Sequence, residues 1–177
     1  MFSNSGAPGP EDVRRLYDAA APLLLRIAAR IAGSSEAAED IVHDAFARLV
    51  EKGIPFPSMD DAKYWLIRVT KNGALNYAKR KGREAKAYER WWRGEKDSSG
   101  GADEVVLRTE SAEELKRGLE SLPDGLKAVL VLKEYGGLNY KEIGRALGIS
   151  EGNVKVRAFR AREALFAKLG EGSKHVS

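Results

Sequence analysis

Asp40 and Asp44 stand four residues apart, so a helix there carries both carboxylates on one face. Carboxylates at that spacing can in principle hold a divalent cation or share general acid/base work. The rest of the chain gives them little support. The two histidines, His43 and His175, lie far apart, there is no cysteine, and no glycine-rich phosphate loop lies near the pair. A thiolate metal centre and a disulfide framework are therefore excluded. No metal, no cofactor and no catalytic residue is expected. The better use of the carboxylates is a docking face for a basic partner. The plainer one is a solvated helix face.

Charge is distributed in blocks. Residues 63–93 hold ten bases against two acids, and residues 34–62 hold seven acids against two bases. Residues 94–124 are acidic again, with nine acids and four bases, and residues 135–168 return to a net of +4. Blocks of opposite sign point to several partners, and the basic ones point to nucleic acid. In the first basic block, Tyr64, Arg68, Lys71 and Lys79 share the outward face of one helix. Aromatics beside a basic stripe suit melted or single-stranded nucleic acid. Phe56, in a loop with two prolines, is placed to line a pocket for a flipped base, whereas Trp65 is read as core.

The sharpest local signal lies at Asn139–Ser150. A short helix meets Gly148, then an apolar Ile149 that plugs the corner, then a capping Ser150 that starts a second helix. This is a helix-turn-helix pattern. On the second helix Val154, Ala158, Ala161 and Leu165 form the core stripe. Val156, Phe159 and Arg160 point the other way, with Lys155 at the flank. Bases suit phosphates and guanine edges, and an outward Val and Phe suit thymine methyl groups. The alternative for Phe159 is packing against a neighbouring helix.

The elements that position these residues are all helical. Periodicity predicts helices over about 10–32, 36–52 and 59–81, with Pro22 kinking or breaking the first near Ala21. Ser35 is the expected cap of the second helix and Ser58, with Asp61, that of the third. Four shorter helices follow, over about 111–121, 124–134, 139–146 and 151–168. The stretch between is rich in flexible residues and has no apolar period. The fold class is thus all-α, two small helical domains over 10–93 and 111–170 joined by a flexible acidic linker at 94–110. Neither a transmembrane run nor a signal-peptide pattern is visible, so a cytoplasmic protein is expected.

Ala38–Leu49, Trp65–Asn72 with Asn76 and Lys79-Arg80, and the run from Leu119 to Lys155 resemble bacterial RNA polymerase sigma factors of the extracytoplasmic-function (ECF) type. The resemblance covers most of residues 12–168. It implies a protein that binds core RNA polymerase, recognises −35 and −10 promoter elements, and captures melted −10 bases. Asp40, His43, Asp44 and Arg48 would dock on the clamp helices of the β′ subunit, and the β flap would be a further contact. Phe56, Lys63, Arg68, Lys71, Asn72 and Asn76 would read and melt the −10 element. Asn153, Lys155, Val156 and Phe159 would read the −35 element, with Arg157 and Arg160 on phosphates. Promoter DNA and an anti-sigma factor are the other implied partners. The chain departs from the family's usual residues at His43, Val50, Ala62, Lys127, Gly144, Asn153 and Val156.

Two other classes compete. A conventional helix-turn-helix repressor or activator explains residues 111–168 but leaves the acidic second helix and the aromatic-basic third unused. An enzyme built on Asp40 and Asp44 lacks a nucleophile, a metal cluster and a phosphate loop.

Overall fold

The computed structural model describes residues 7–93 and 110–172. Seven α-helices and no strand occur among them: α1 (Pro10–Ala32), α2 (Ser35–Lys52), α3 (Met59–Trp92), α4 (Glu110–Glu120), α5 (Asp124–Glu134), α6 (Tyr140–Leu147) and α7 (Glu151–Gly172). Apart from Glu110, which opens α4, the linker expected at 94–110 lies outside the described residues.

Three boundaries differ from expectation. First, α1 runs unbroken through Pro22. Proline removes the hydrogen bond to the carbonyl of Asp18. Both residues are on the exposed side of the helix, where water can serve that carbonyl. Second, the cap of α2 is Ser34, not Ser35, and its hydroxyl accepts the amide of Ala37 at 3.1 Å. Third, α3 does not stop near Lys81 but continues to Trp92. Its last buried residue is Leu75, so no core holds the final four turns. Local forces do: Ala, Lys, Arg and Glu favour helix, and the pairs Arg80–Glu84 (3.8 Å) and Glu89–Arg93 (3.5 Å) bridge successive turns.

The first three helices form a bundle. Leu16, Leu24 and Ile27 of α1 meet Val42, Phe46 and Leu49 of α2 and Leu66 and Ile67 of α3, all buried. Each such side chain contributes roughly 1.5–3 kcal/mol by leaving water. Gly73 lets α3 approach α2 closely, since a Cβ there would sit 3.0 Å from Cγ2 of Ile41. In the second half, Leu119, Leu122, Leu130 and Ala161 form a small separate core. The main core does not end with α3. It continues through Val129 and Leu132 of α5, Leu138, Ile143 of α6 and Val154 of α7. The two halves therefore share one apolar seam.

The helix-turn-helix is built as its residues dictate. Asn139 and Glu142 cap α6 reciprocally, at 2.9 and 2.8 Å. Gly148 takes φ 71°, the left-handed turn that only glycine adopts freely. The amides of Gly148 and Ile149 both donate to the carbonyl of Gly144, at 2.8 and 3.0 Å. That fold-back explains Gly144 itself: a Cβ there would meet the carbonyl oxygen of Ile149 at 2.7 Å. Ser150 then caps α7 by accepting the amide of Asn153 at 3.2 Å.

Candidate nucleic-acid interface

On α2, the residues Ala38, Val42, Ala45, Phe46 and Leu49 are buried, and Asp40, His43, Asp44 and Arg48 are exposed. None of these four makes an ion pair with another of the described residues. The four together present a mixed but mainly acidic face, with Glu36, Glu39 and Glu51 beside it. Among the described residues, no group of His, Asp and Glu could hold a metal ion.

The α3 candidates are placed less simply. Phe56 is half-buried and packs edge-on against Trp65, with ring centroids 5.9 Å apart. Lys63 and Lys71 are half-buried, and Asn72 and Asn76 are exposed. The face expected to look outward looks at the second half of the molecule instead. Arg68 donates from Nε to the carbonyl of Ala146 at 2.8 Å and from Nη2 to that of Arg145 at 3.2 Å. Arg145 in turn lies 4.5 Å over the ring of Tyr64 and reaches Asp61 at 3.0 Å. Lys79 pairs with Asp124 at 2.6 Å. A second seam joins α1 to the end of α5, where Arg30 sits 4.0 Å over the ring of Tyr135 and Arg26 reaches its carbonyl at 3.5 Å.

These contacts show in the acidities. The hydroxyl of Ser58 donates to Asp61 at 2.6 Å and, with Arg145, holds that carboxyl below the usual aspartate range. Burial lowers the Lys71 ammonium, and the positive charges of Arg68 and Arg157 lower it further. Burial also raises the Tyr64 phenol, helped by the Glu142 carboxylate. Bases thus crowd together where α3 faces α6 and α7, a place where an arriving polyanion is favoured.

On α7 the division read from the sequence is present. Val154, Ala158 and Ala161 are buried, whereas Val156 (48% exposed) and Phe159 (61%) face water, so Phe159 does not pack on a neighbouring helix. Asn153, Lys155 and Arg160 are also exposed. Lys155 lies 3.0 Å from Glu151. Arg157 is turned partly inward. It donates to Oδ1 of Asn153 at 2.9 Å and lies against Gly125, whose missing side chain leaves room for the guanidinium.

Sequence reading missed three features. Lys127 is buried, with its ammonium lowered by that burial. Only its place in an otherwise apolar run, Leu126–Leu132, signals this. Thr70 is buried with its hydroxyl unpartnered among the described residues, and nothing local predicts that. The exposed rings of Tyr88, Trp91 and Trp92 stand on the part of α3 that was not expected to be helical.

Two family models match the chain: Sigma-70 region 2 over residues 16–84 and Sigma-70, region 4 over residues 112–165. The ECF RNA polymerase sigma-E factor of Escherichia coli strain K12 is 36% identical over 143 residues, covering 73% of this chain and 72% of that protein. The ECF RNA polymerase sigma factor SigE of Mycolicibacterium smegmatis is 29% identical over 153 residues, covering 86% of this chain and 59% of that protein. Among solved structures, the fold is similar to the sigma factor RpoE from Bartonella quintana, solved in complex with the anti-sigma factor NepR. The TM-score there is 0.61 at 21% identity, covering 90% of this chain and 98% of that one. It is also similar to CnrH, solved in complex with the cytosolic domain of CnrY, with TM-score 0.57, 22% identity, and coverage of 90% and 88%.

Proposed function

The chain belongs to the ECF RNA polymerase sigma factors, proteins of transcription initiation, and from that premise we propose a role for each of its faces. The exposed acidic face of α2, with Asp40, His43, Asp44 and Arg48, docks on the clamp helices of the polymerase β′ subunit. The second half, 111–170, engages the β flap. Residues 10–93 form the unit that reads and melts the −10 element, through Phe56, Lys63, Arg68, Lys71, Asn72 and Asn76. The α7 face, with Asn153, Lys155, Val156 and Phe159, reads the −35 element, and Arg157 and Arg160 hold phosphates.

The observation that supports this most directly is the clean division of α7. An exposed valine and phenylalanine beside exposed bases have little use in water, but fit thymine methyls and phosphates in a major groove. Melting draws on binding energy alone. Chemistry belongs to the polymerase, and the protein itself is no catalyst. It acts in the cytoplasm, where the polymerase is. No helix among the described residues is long and apolar enough to cross a membrane.

The contacts of Arg68 and Tyr64 with α6 bear on regulation. With those contacts made, the side chains of Arg68 and Tyr64 are engaged by α6, so for these two to reach DNA the halves must part. An anti-sigma partner that holds the halves together would keep the protein inactive. Run-off transcription with purified core polymerase on genomic promoter fragments tests the whole reading. Specific transcripts that depend on the protein are expected. Specific, tight duplex binding without polymerase would instead favour a conventional repressor or activator.

A further inference from the structure

The final turns of α3 leave the bundle and enter solvent. Every residue from Lys79 to Arg93 is exposed, and the stretch past residue 84 lies beyond the match to the Sigma-70 region 2 model. Its composition is not that of an ordinary solvated helix. Residues 80–93 hold six bases against two acids, and three large rings share the last two turns. Tyr88 is 60% exposed, Trp91 64% and Trp92 37%. The rings contact one another, with centroids 5.7–6.3 Å apart and the two indoles perpendicular. An exposed aromatic cluster of this kind marks a binding surface more often than chance.

The arrangement around the helix names the ligand. At about 100° per residue, Arg83, Lys86, Arg90 and Arg93 fall on one side of the helix, with Glu89 at its edge paired to Arg93 at 3.5 Å. Tyr88, Trp91 and Trp92 fall on the opposite side, with Lys81 and Glu84 among them and Arg80 at the edge, paired to Glu84 at 3.8 Å. Such a helix is only about 10–12 Å across, and arginine and lysine stems bend around it. A single strand laid across the axis therefore meets rings that can stack on its bases and cations that can hold its phosphates on both flanks. Stacking on exposed rings within a basic field is how single strands are bound without sequence preference.

We propose that the free end of α3, Arg80–Arg93, is a platform for single-stranded nucleic acid, supplied by the strand of an opened promoter. The proposal rests on the promoter-melting role given above. The same continuous helix carries Arg68, Lys71 and Asn76, so Trp92 stands roughly 24 Å along the axis from Asn76. Bases released near one end of α3 would be retained near the other. The positive field at 80–93 is complementary to a polyanion and opposed to a basic protein surface.

The test uses the full chain and its own tryptophans, since Trp91 and Trp92 are two of the three. Protein is titrated with an oligothymidine strand, with the matching duplex, and with vesicles containing an anionic phospholipid, while indole fluorescence is followed. Quenching by the single strand is expected, with weaker quenching by the duplex. Trp91→Ala with Trp92→Ala should abolish the quench and weaken single-strand binding roughly tenfold. Arg83→Ala with Arg90→Ala should flatten its salt dependence. Circular dichroism of the variants keeps loss of folding separate from loss of binding. Absence of quenching, equal quenching by duplex, or a response to vesicles alone would overturn the platform. A pull-down of core polymerase reads the sigma assignment independently. If the polymerase is captured and the quench is absent, only the platform fails. If the quench is present and no polymerase is captured, the docking role fails instead.

Discussion

The guanidinium of Arg68, on α3, donates to the backbone carbonyl of Ala146 at 2.8 Å and so closes the C-terminal end of α6. A cation at that position meets carbonyls left without helical partners and the negative end of the helix dipole. The bond also joins residues 78 apart in the chain, across the two halves. Arg68→Ala is expected to weaken the closed arrangement by about 1.5–3 kcal/mol, the usual range for a charged hydrogen bond. Energy transfer between dyes on α2 and α7 should fall in the variant. Unchanged transfer would show that the apolar seam alone holds the halves together.

Acid should loosen the same seam through Asp61. Its folded carboxyl is held below the ordinary aspartate range, first by Ser58 and then by Arg145. The stabilisation is therefore complete above the ordinary value and is lost as pH falls through the lowered one. Ser58→Ala removes the main cause and the helix cap together. It should lower the melting temperature at neutral pH and flatten the further fall seen as pH drops below the ordinary aspartate range.

Charge reversal at Asp40 and Asp44 leaves the core untouched, because both are exposed on α2. Asp40→Lys with Asp44→Lys should keep the native melting temperature to within a few degrees and lose capture of core polymerase. Capture at wild-type levels would refute α2 as the docking helix.

Lys155→Ala removes a cation from the exposed face of α7, where its present neighbour is Glu151 at 3.0 Å. A contact to a base edge would make the loss about 1–3 kcal/mol on promoters with the preferred −35 base and small on others. Holoenzyme binding to a set of single-base −35 variants measures this. A uniform loss would move Lys155 onto phosphate.

Lys127 is buried and its ammonium is lowered by that burial. For a base, a depressed folded value means that the charged form costs stability at neutral pH, and the cost is relieved as pH rises through that value. Lys127→Met should therefore stabilise the chain by about 1 kcal/mol at neutral pH, with the advantage shrinking in alkali. Denaturant melts at two pH values check the sign.

Much of this molecule was legible before any fold was seen, because helix faces are local. Val42, Phe46 and Leu49, or Val154, Ala158 and Ala161, recur at three- and four-residue spacing, and that spacing alone places them on one side of a helix. The turn at Gly148 and the cap at Ser58 are equally local, set by one backbone angle and one hydroxyl. The free end of α3 is not legible in this way for a related reason: past Lys81 no apolar period marks a helix, which is held by propensity and ion pairs instead. Tertiary structure alone decided what covers each face. Arg68, Tyr64 and Asp61 read as outward or loop-side residues, yet all three meet α6, some 80 residues away. No periodicity encodes that meeting, because it depends on the fit of the two halves along an apolar seam that neither half displays by itself.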